Sequence, residues 1–222
     1  MKTLIPIYSE GTVDQELIDE GQRNLVEFFQ KKGFSDVKVT AKLDQEPNQI
    51  LVQYQIDRGQ KHKVGRVLFQ GNYNIPQKDL LGQVLVKKSH IWTHGSVSQK
   101  LLKQSADNMK ALYRDRGYED VKITSQAVNH GPKIDVVFNV VEGTQTIVDD
   151  VQVSGNQKIP FAQLTAPNGF QVHTGAPFSP RRLAEDRNRI SATYLNHGYL
   201  TAEVKATVHP SQGDPHRVIV AC

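Results

Sequence analysis

One cysteine, one tryptophan and two methionines are all that these 222 residues hold of those side chains. The lone thiol, Cys222, excludes an internal disulfide framework, so a packed core has to hold any fold together. No apolar run approaches the roughly 18 residues a membrane-crossing helix needs, and Met1 to Gly11 lacks the apolar stretch of a secretory signal. Blocks of like charge are missing too. The 27 Lys and Arg are interspersed with 23 Asp and Glu, so the net charge of +4 gives only a weak pull toward acidic partners. There is no phosphate-binding glycine loop, nucleophile motif or Cys-x-x-Cys pair. His90 and His94 have the spacing of helical metal ligands, yet they bracket Trp92 with no carboxylate or cysteine to complete a site, so neither metal nor cofactor is expected. Asp149 and Asp150 have no partnered histidine or nucleophile and read as solvated turn charges.

What the chain does have is a repeat. A shift of 84 residues carries Ile50, Val52, Tyr54, Ile56 and Gly59 onto Ile134, Val136, Phe138, Val140 and Gly143. The same shift carries Val67, Gly71, Asn72, Ile75, Pro76 and Leu80 onto Val151, Gly155, Asn156, Ile159, Pro160 and Leu164. Between these segments Leu102, Ala106, Met109 and Tyr113 follow a four-three-four spacing that makes one apolar helical face. Ile18, Gln22, Leu25 and Phe29 repeat it, as do Leu183, Arg187, Ile190 and Tyr194, with the second position at the edge of the face. Asp14, Ser98 and Ser179 supply an oxygen to cap each helix start, and Gly33, Gly117 and Gly198 supply the stop. An aromatic and an alternating strand follow each stop, and turn-rich gaps predict hairpins with loops longer than two residues.

The complete middle copy therefore reads strand (64–70), short helix (76–85), long helix (98–116), strand (120–126), strand (133–141). This β-α-α-β-β order predicts an α+β domain, a three-stranded mixed sheet covered on one face by two helices. Residues 1–59 form an incomplete unit with a long helix and a hairpin, 60–143 a complete one, and 144–222 a unit cut just before its end. A longer parent chain is expected.

Tandem β-α-α-β-β, with Val-x-Phe-x-Gly-Asn at Val67 to Asn72, a tyrosine four residues before a Gly-Tyr pair (Tyr113, Gly117, Tyr118; Tyr194, Gly198, Tyr199) and Val-Glu-Gly at Val141 to Gly143, resembles POTRA (polypeptide-transport-associated) domains. The resemblance covers nearly the whole chain, although Val153 replaces the aromatic of the third copy. It is similar to the arms of BamA-like and TamA-like assembly factors and of two-partner-secretion transporters. That likeness implies a non-enzymatic scaffold on the periplasmic side of the outer membrane of a Gram-negative bacterium. The partners it implies are unfolded outer-membrane or secreted polypeptides and accessory assembly lipoproteins, and it implies a membrane β-barrel C-terminal to these units in the parent.

An open sheet edge offers unpaired backbone groups to an extended guest. The resemblance assigns that edge to the second strand, at Val121, Lys122, Ile123, Thr124 and Ser125, with Val37, Lys38 and Val39 in the first unit and Ala202 and Val204 in the third. Alternatively, its lysines protect the edge from pairing. Connectors of about five residues make Gly59 and Gly143 the candidate hinges. The competing class is a basic RNA-binding module, but Tyr113, Tyr118, Tyr194 and Tyr199 fall on the core face or its rim, so no nucleic acid is expected. A third reading is a purely structural spacer.

Overall fold

The computed structural model describes residues 4–7, 13–47, 49–86, 97–165 and 169–222. His90, Trp92 and His94 lie outside them. Asp14 caps the first long helix, α1 (Gln15–Lys31), its carboxylate accepting from Leu17 N–H at 2.8 Å. Gly33, at φ +94°, ends the capped turn, and Phe34 N–H reaches back to the Phe29 carbonyl at 3.1 Å. The two other long helices end alike. Tyr118 donates to Tyr113 and Tyr199 to Tyr194, each at 3.0 Å.

After α1 come β1 (Lys38–Glu46) and β2 (Gln49–Asp57), an antiparallel pair with Glu46 opposite Gln49. The middle copy comprises β3 (Lys63–Gln70), α2 (Gln77–Leu81), α3 (Gln99–Asp115), β4 (Lys122–His130) and β5 (Lys133–Val141). The third comprises β6 (Ile147–Gln152), α4 (Phe161–Thr165), α5 (Pro180–Asn196), β7 (Thr207–Ser211) and β8 (Asp214–Ala221). Both sheets are mixed, in the orders β3-β5-β4 and β6-β8-β7. In each the last strand is central, parallel to the first and next to the second. By closeness in space the chain divides into two compact units, residues 1–70, 77–108 and 124–139, and residues 71–76, 109–123 and 140–222.

Within the first unit Leu25, Phe29, Val37 and Val39 form one core cluster. In the other, Val148, Phe178, Leu183, Val218 and Val220 form one cluster and Ile159, Leu164 and Ile190 another. Leu102, Met109, Tyr113, Val121, Val136 and Phe138 are all buried.

Three expectations need correction. The hairpins have two-residue loops: β4 ends at His130 and β5 begins at Lys133, and β7 and β8 are separated only by Gln212 and Gly213. Asn129 and His130 are polar and turn-prone, but Gly131 at φ +66° followed by Pro132 supplies the whole reversal, so they stay in the ladder. The short helix α2 ends at Leu81, because the backbone beyond it is held by α3, whose Ser105 Oγ accepts from Leu85 N–H at 2.9 Å. Ala106 is buried and not at the edge of its helical face.

The neighbouring position on that face, one residue earlier, was not singled out, and its repeats Gly21, Ser105 and Asp186 are all buried. Each solves the site differently. Gly21 leaves room for the Tyr54 hydroxyl, which a Cβ there would meet at 2.5 Å. Ser105 holds Leu85, and the Asp186 carboxylate accepts from Gln171 N–H at 3.0 Å and Val172 N–H at 2.9 Å.

Candidate functional site

Among the described residues β4 and β7 lie at the borders of their sheets, and β1 has only β2 beside it. In β4 the side chains alternate: Ile123 is buried while Lys122 and Thr124 are exposed and Ser125 half-buried. The inward residues fix the strand on the helices, and its outer backbone edge faces no other strand of the sheet. Val121 precedes the strand and is buried, anchoring its entry. Val37 likewise precedes β1, while Lys38 and Val39 lie within it and Val39 is buried.

Ala202 and Val204 correct the expectation for the third copy. β7 begins only at Thr207, opposite Ala221, so positions 202–206 have no ladder partner among the described residues. Ala202 and Val204 line instead a cavity of about 460 Å³ with Leu164, Ile190, Tyr194 and Cys222. Burial there pushes the Cys222 thiol up.

The connectors are tied to the preceding helix end. Gly59 and Gly143 have φ of +60° and +76°, and beyond them His62 N–H donates to the Gly33 carbonyl and Thr146 N–H to the Gly117 carbonyl, both at 2.8 Å. The glycines that stop α1 and α3 thus also receive the following segment. A Cβ on Gly117 would stand 2.6 Å from the Thr146 oxygen, and one on Gly33 3.2 Å from that of His62. Gly198 has no neighbour within 4 Å of such a Cβ.

Side chains reinforce both joints. At the first, Glu27 meets Lys31 at 2.8 Å and Lys100 at 3.4 Å. These ammonium groups, Lys31 foremost, hold its carboxyl below the usual carboxylate range. Buried His62 bridges Ser35 Oγ at 2.9 Å and Asn129 Nδ2 at 3.2 Å. At the second joint Arg181 grips Asp115 with Nε at 3.0 and 3.1 Å and also through Nη2. The Ser179 hydroxyl donates to Asp115 at 2.7 Å and accepts from Arg182 N–H at 3.2 Å, capping α5 while joining it to α3. Arg181 first, then Ser179, keep the Asp115 carboxyl low.

A latch at the end of the middle sheet was missed in the sequence, where Glu142 read only as part of a closing motif. Glu142 is buried, and it accepts from Asn74 N–H at 3.0 Å, Asn74 Nδ2 at 2.6 Å and the Tyr113 hydroxyl at 2.8 Å. Burial, and then the Glu142 carboxylate, push the Tyr113 phenol well up. Position 58, the first-copy counterpart of Glu142, is arginine, so no repetition signalled the latch. Asp149 is also more than a turn charge. It lies on β6, accepting from Ser211 Oγ at 2.7 Å and Arg217 Nε at 2.9 Å, and these two donors, Ser211 first, hold its carboxyl low.

The model of the surface antigen variable number repeat, POTRA, matches residues 62–143 and again 146–221. The chain belongs to the POTRA family. It is 23% identical over 195 residues to a putative outer membrane protein assembly factor of Treponema pallidum (strain Nichols), matching 85% of this chain and 23% of that protein. To the outer membrane protein assembly factor BamA of Nitratidesulfovibrio vulgaris it is 25% identical over 182 residues, matching 78% of this chain and 22% of that protein. The POTRA chain thus spans less than a quarter of the length of these two relatives. Among solved structures it is similar to POTRA domains 3–5 of Haemophilus influenzae BamA, with a TM-score of 0.55 at 12% identity, covering 95% of this chain and 80% of that one. The tandem of mixed three-stranded sheets with helices is therefore the POTRA fold.

Proposed function

We propose that the chain is a non-catalytic scaffold from the periplasmic arm of an outer-membrane β-barrel assembly or translocation factor, and that it receives extended polypeptides along β4. The observation that supports this reading is the position of β4, a nine-residue strand at a sheet border, inside a family whose relatives here are named assembly factors. Guests dock through main-chain hydrogen bonds, so the edge accepts many sequences. Lys38 and Val39 of β1 offer a second edge of the same kind. The natural guests are unfolded outer-membrane or secreted polypeptides and accessory assembly lipoproteins, in a parent carrying a membrane barrel. Residues 1–59, 60–143 and 144–222 act as successive units, with Gly59 and Gly143 as restrained hinges.

The test is a titration of the labelled chain with an extended β-strand peptide from an outer-membrane protein. Amide shifts are expected to concentrate at Lys122 to Ser125. Methylating alternate amide nitrogens on one side of the peptide is expected to weaken binding by about fivefold per methyl group, since each lost backbone bond is worth about 1 kcal/mol. Equal binding by methylated and unmethylated peptides defeats the edge-docking mechanism. Absence of any shift leaves the chain a spacer.

A further inference from the structure

Lys63 and Lys133 stand directly opposite each other on the parallel strands β3 and β5. Like charges in register on neighbouring strands repel and disfavour the pairing. Neither lysine has a carboxylate partner among the described residues. The one acid nearby, Asp135, is already engaged: it accepts from Arg66 Nε at 2.9 Å, Arg66 Nη2 at 2.6 Å and Arg66 N–H at 2.8 Å.

The strand register places the open ammonium groups together. Val64 and Ile134 point into the core and are buried, so Lys63 and Lys133, one residue before each, lie on the opposite face of the sheet. Both line a cavity of about 470 Å³ with Arg66, His130, Asp135 and Gly65. The floor is fixed by the Arg66 to Asp135 clamp at the bulge between Val64 and Val67, where a Cβ on Gly65 would strike the Asp135 carboxylate. The His130 ring stands at the rim, 3.8 Å from Asp135.

The third copy supplies an internal control. Arg217, the counterpart of Lys133, is neutralised by Asp149 at the same bulge position, and Ile147 replaces Lys63. The surplus is thus peculiar to residues 60–143, which hold 13 Lys and Arg against 7 Asp and Glu.

We propose that Lys63 and Lys133, with Arg66 and His130 at the margin, form a site for a phosphate group. Two ammonium groups from adjacent strands suit the diverging oxygens of a tetrahedral anion. A planar carboxylate is best held by a guanidinium fork, and here that fork is occupied by Asp135. The phosphate comes either from solution or from a lipid headgroup. Nothing in this assignment depends on polypeptide docking at β4.

Two titrations of the whole chain, at fixed ionic strength, test the site. Inorganic phosphate is expected to shift the amides of Lys63, Gly65, Arg66 and Lys133 saturably. The double variant Lys63→Gln/Lys133→Gln is expected to bind about tenfold more weakly, while the charge-matched control Lys78→Gln/Lys158→Gln binds as the parent does. Vesicles of phosphatidylglycerol in phosphatidylcholine give the second arm. Sedimentation with these vesicles, absent for phosphatidylcholine alone and lost in the double variant, identifies a lipid source, and phosphate shifts without sedimentation identify a soluble one. Three outcomes overturn the proposal: no saturable response to either probe, equal loss in the control variant, or saturation of the same amides by an acidic peptide but not by phosphate.

Discussion

Three glycines with left-handed backbones show how differently one residue type is used. Gly131 needs only its dihedral: at φ +66° a side chain has open space around it. Gly131→Ala should cost about 1 to 2 kcal/mol, the ordinary penalty for that conformation. Gly117 carries the same dihedral demand plus a carbonyl 2.6 Å from the missing Cβ, so Gly117→Ala should cost more than Gly131→Ala in denaturant unfolding. Gly198, with open space, should resemble Gly131. The stop glycines were legible as helix ends, but their second use was not, because it depends on backbone 29 residues further on. Tyr113 makes the same point for a polar group. Its place on the apolar face was readable from the four-three-four spacing, whereas the hydroxyl's partner Glu142 was not. Tyr113→Phe should destabilise by about 1.5 to 3 kcal/mol, the worth of a hydrogen bond to a charged group, measured by chemical denaturation.

At the scale of elements, the 84-residue repeat predicted helices, strands and mixed sheets to within a few residues, since apolar periodicity records which face is buried. It failed where a polar residue works for the core. Ser105 and Asp186 occupy one helical position and both secure the segment that leads into the long helix, yet neither is apolar, so the pattern passed over them. Ser105→Ala leaves Leu85 N–H without its acceptor and should cost about 1 to 3 kcal/mol, whereas Gly21→Ser should clash with the Tyr54 hydroxyl and cost at least as much by thermal unfolding. The strand β4 was legible for the same periodic reason, whereas its place at the sheet border was implied by the resemblance alone. The edge was misjudged before β7, where alternation of Ala202, Val204 and Ala206 continues past the last available ladder partner.

For the whole molecule, the depressed carboxylates set the response to acid, those that join successive repeats among them. Arg181 and Ser179 depress Asp115, and Lys31 and Lys100 depress Glu27. A depressed carboxyl stabilises the fold fully above its unfolded value, about 3.9 for Asp, and this contribution disappears as pH falls through the lower folded value. The chain should therefore hold its stability from neutrality down to about pH 4 and lose it below. Asp115→Asn should lower stability at pH 7, by about 1 kcal/mol for so exposed a partner as Arg181, and flatten the acid limb of a stability profile taken by denaturant titration at several pH values.

The step from Gly33 to His62, and from Gly117 to Thr146, is written in peptide groups and a residue without a side chain. That backbone part of the junction makes almost no demand on the identity of what comes next, while the side chains that reinforce it differ from one joint to the other. A copied unit would have inherited a working seam at the moment of duplication, leaving its surfaces at liberty to diverge.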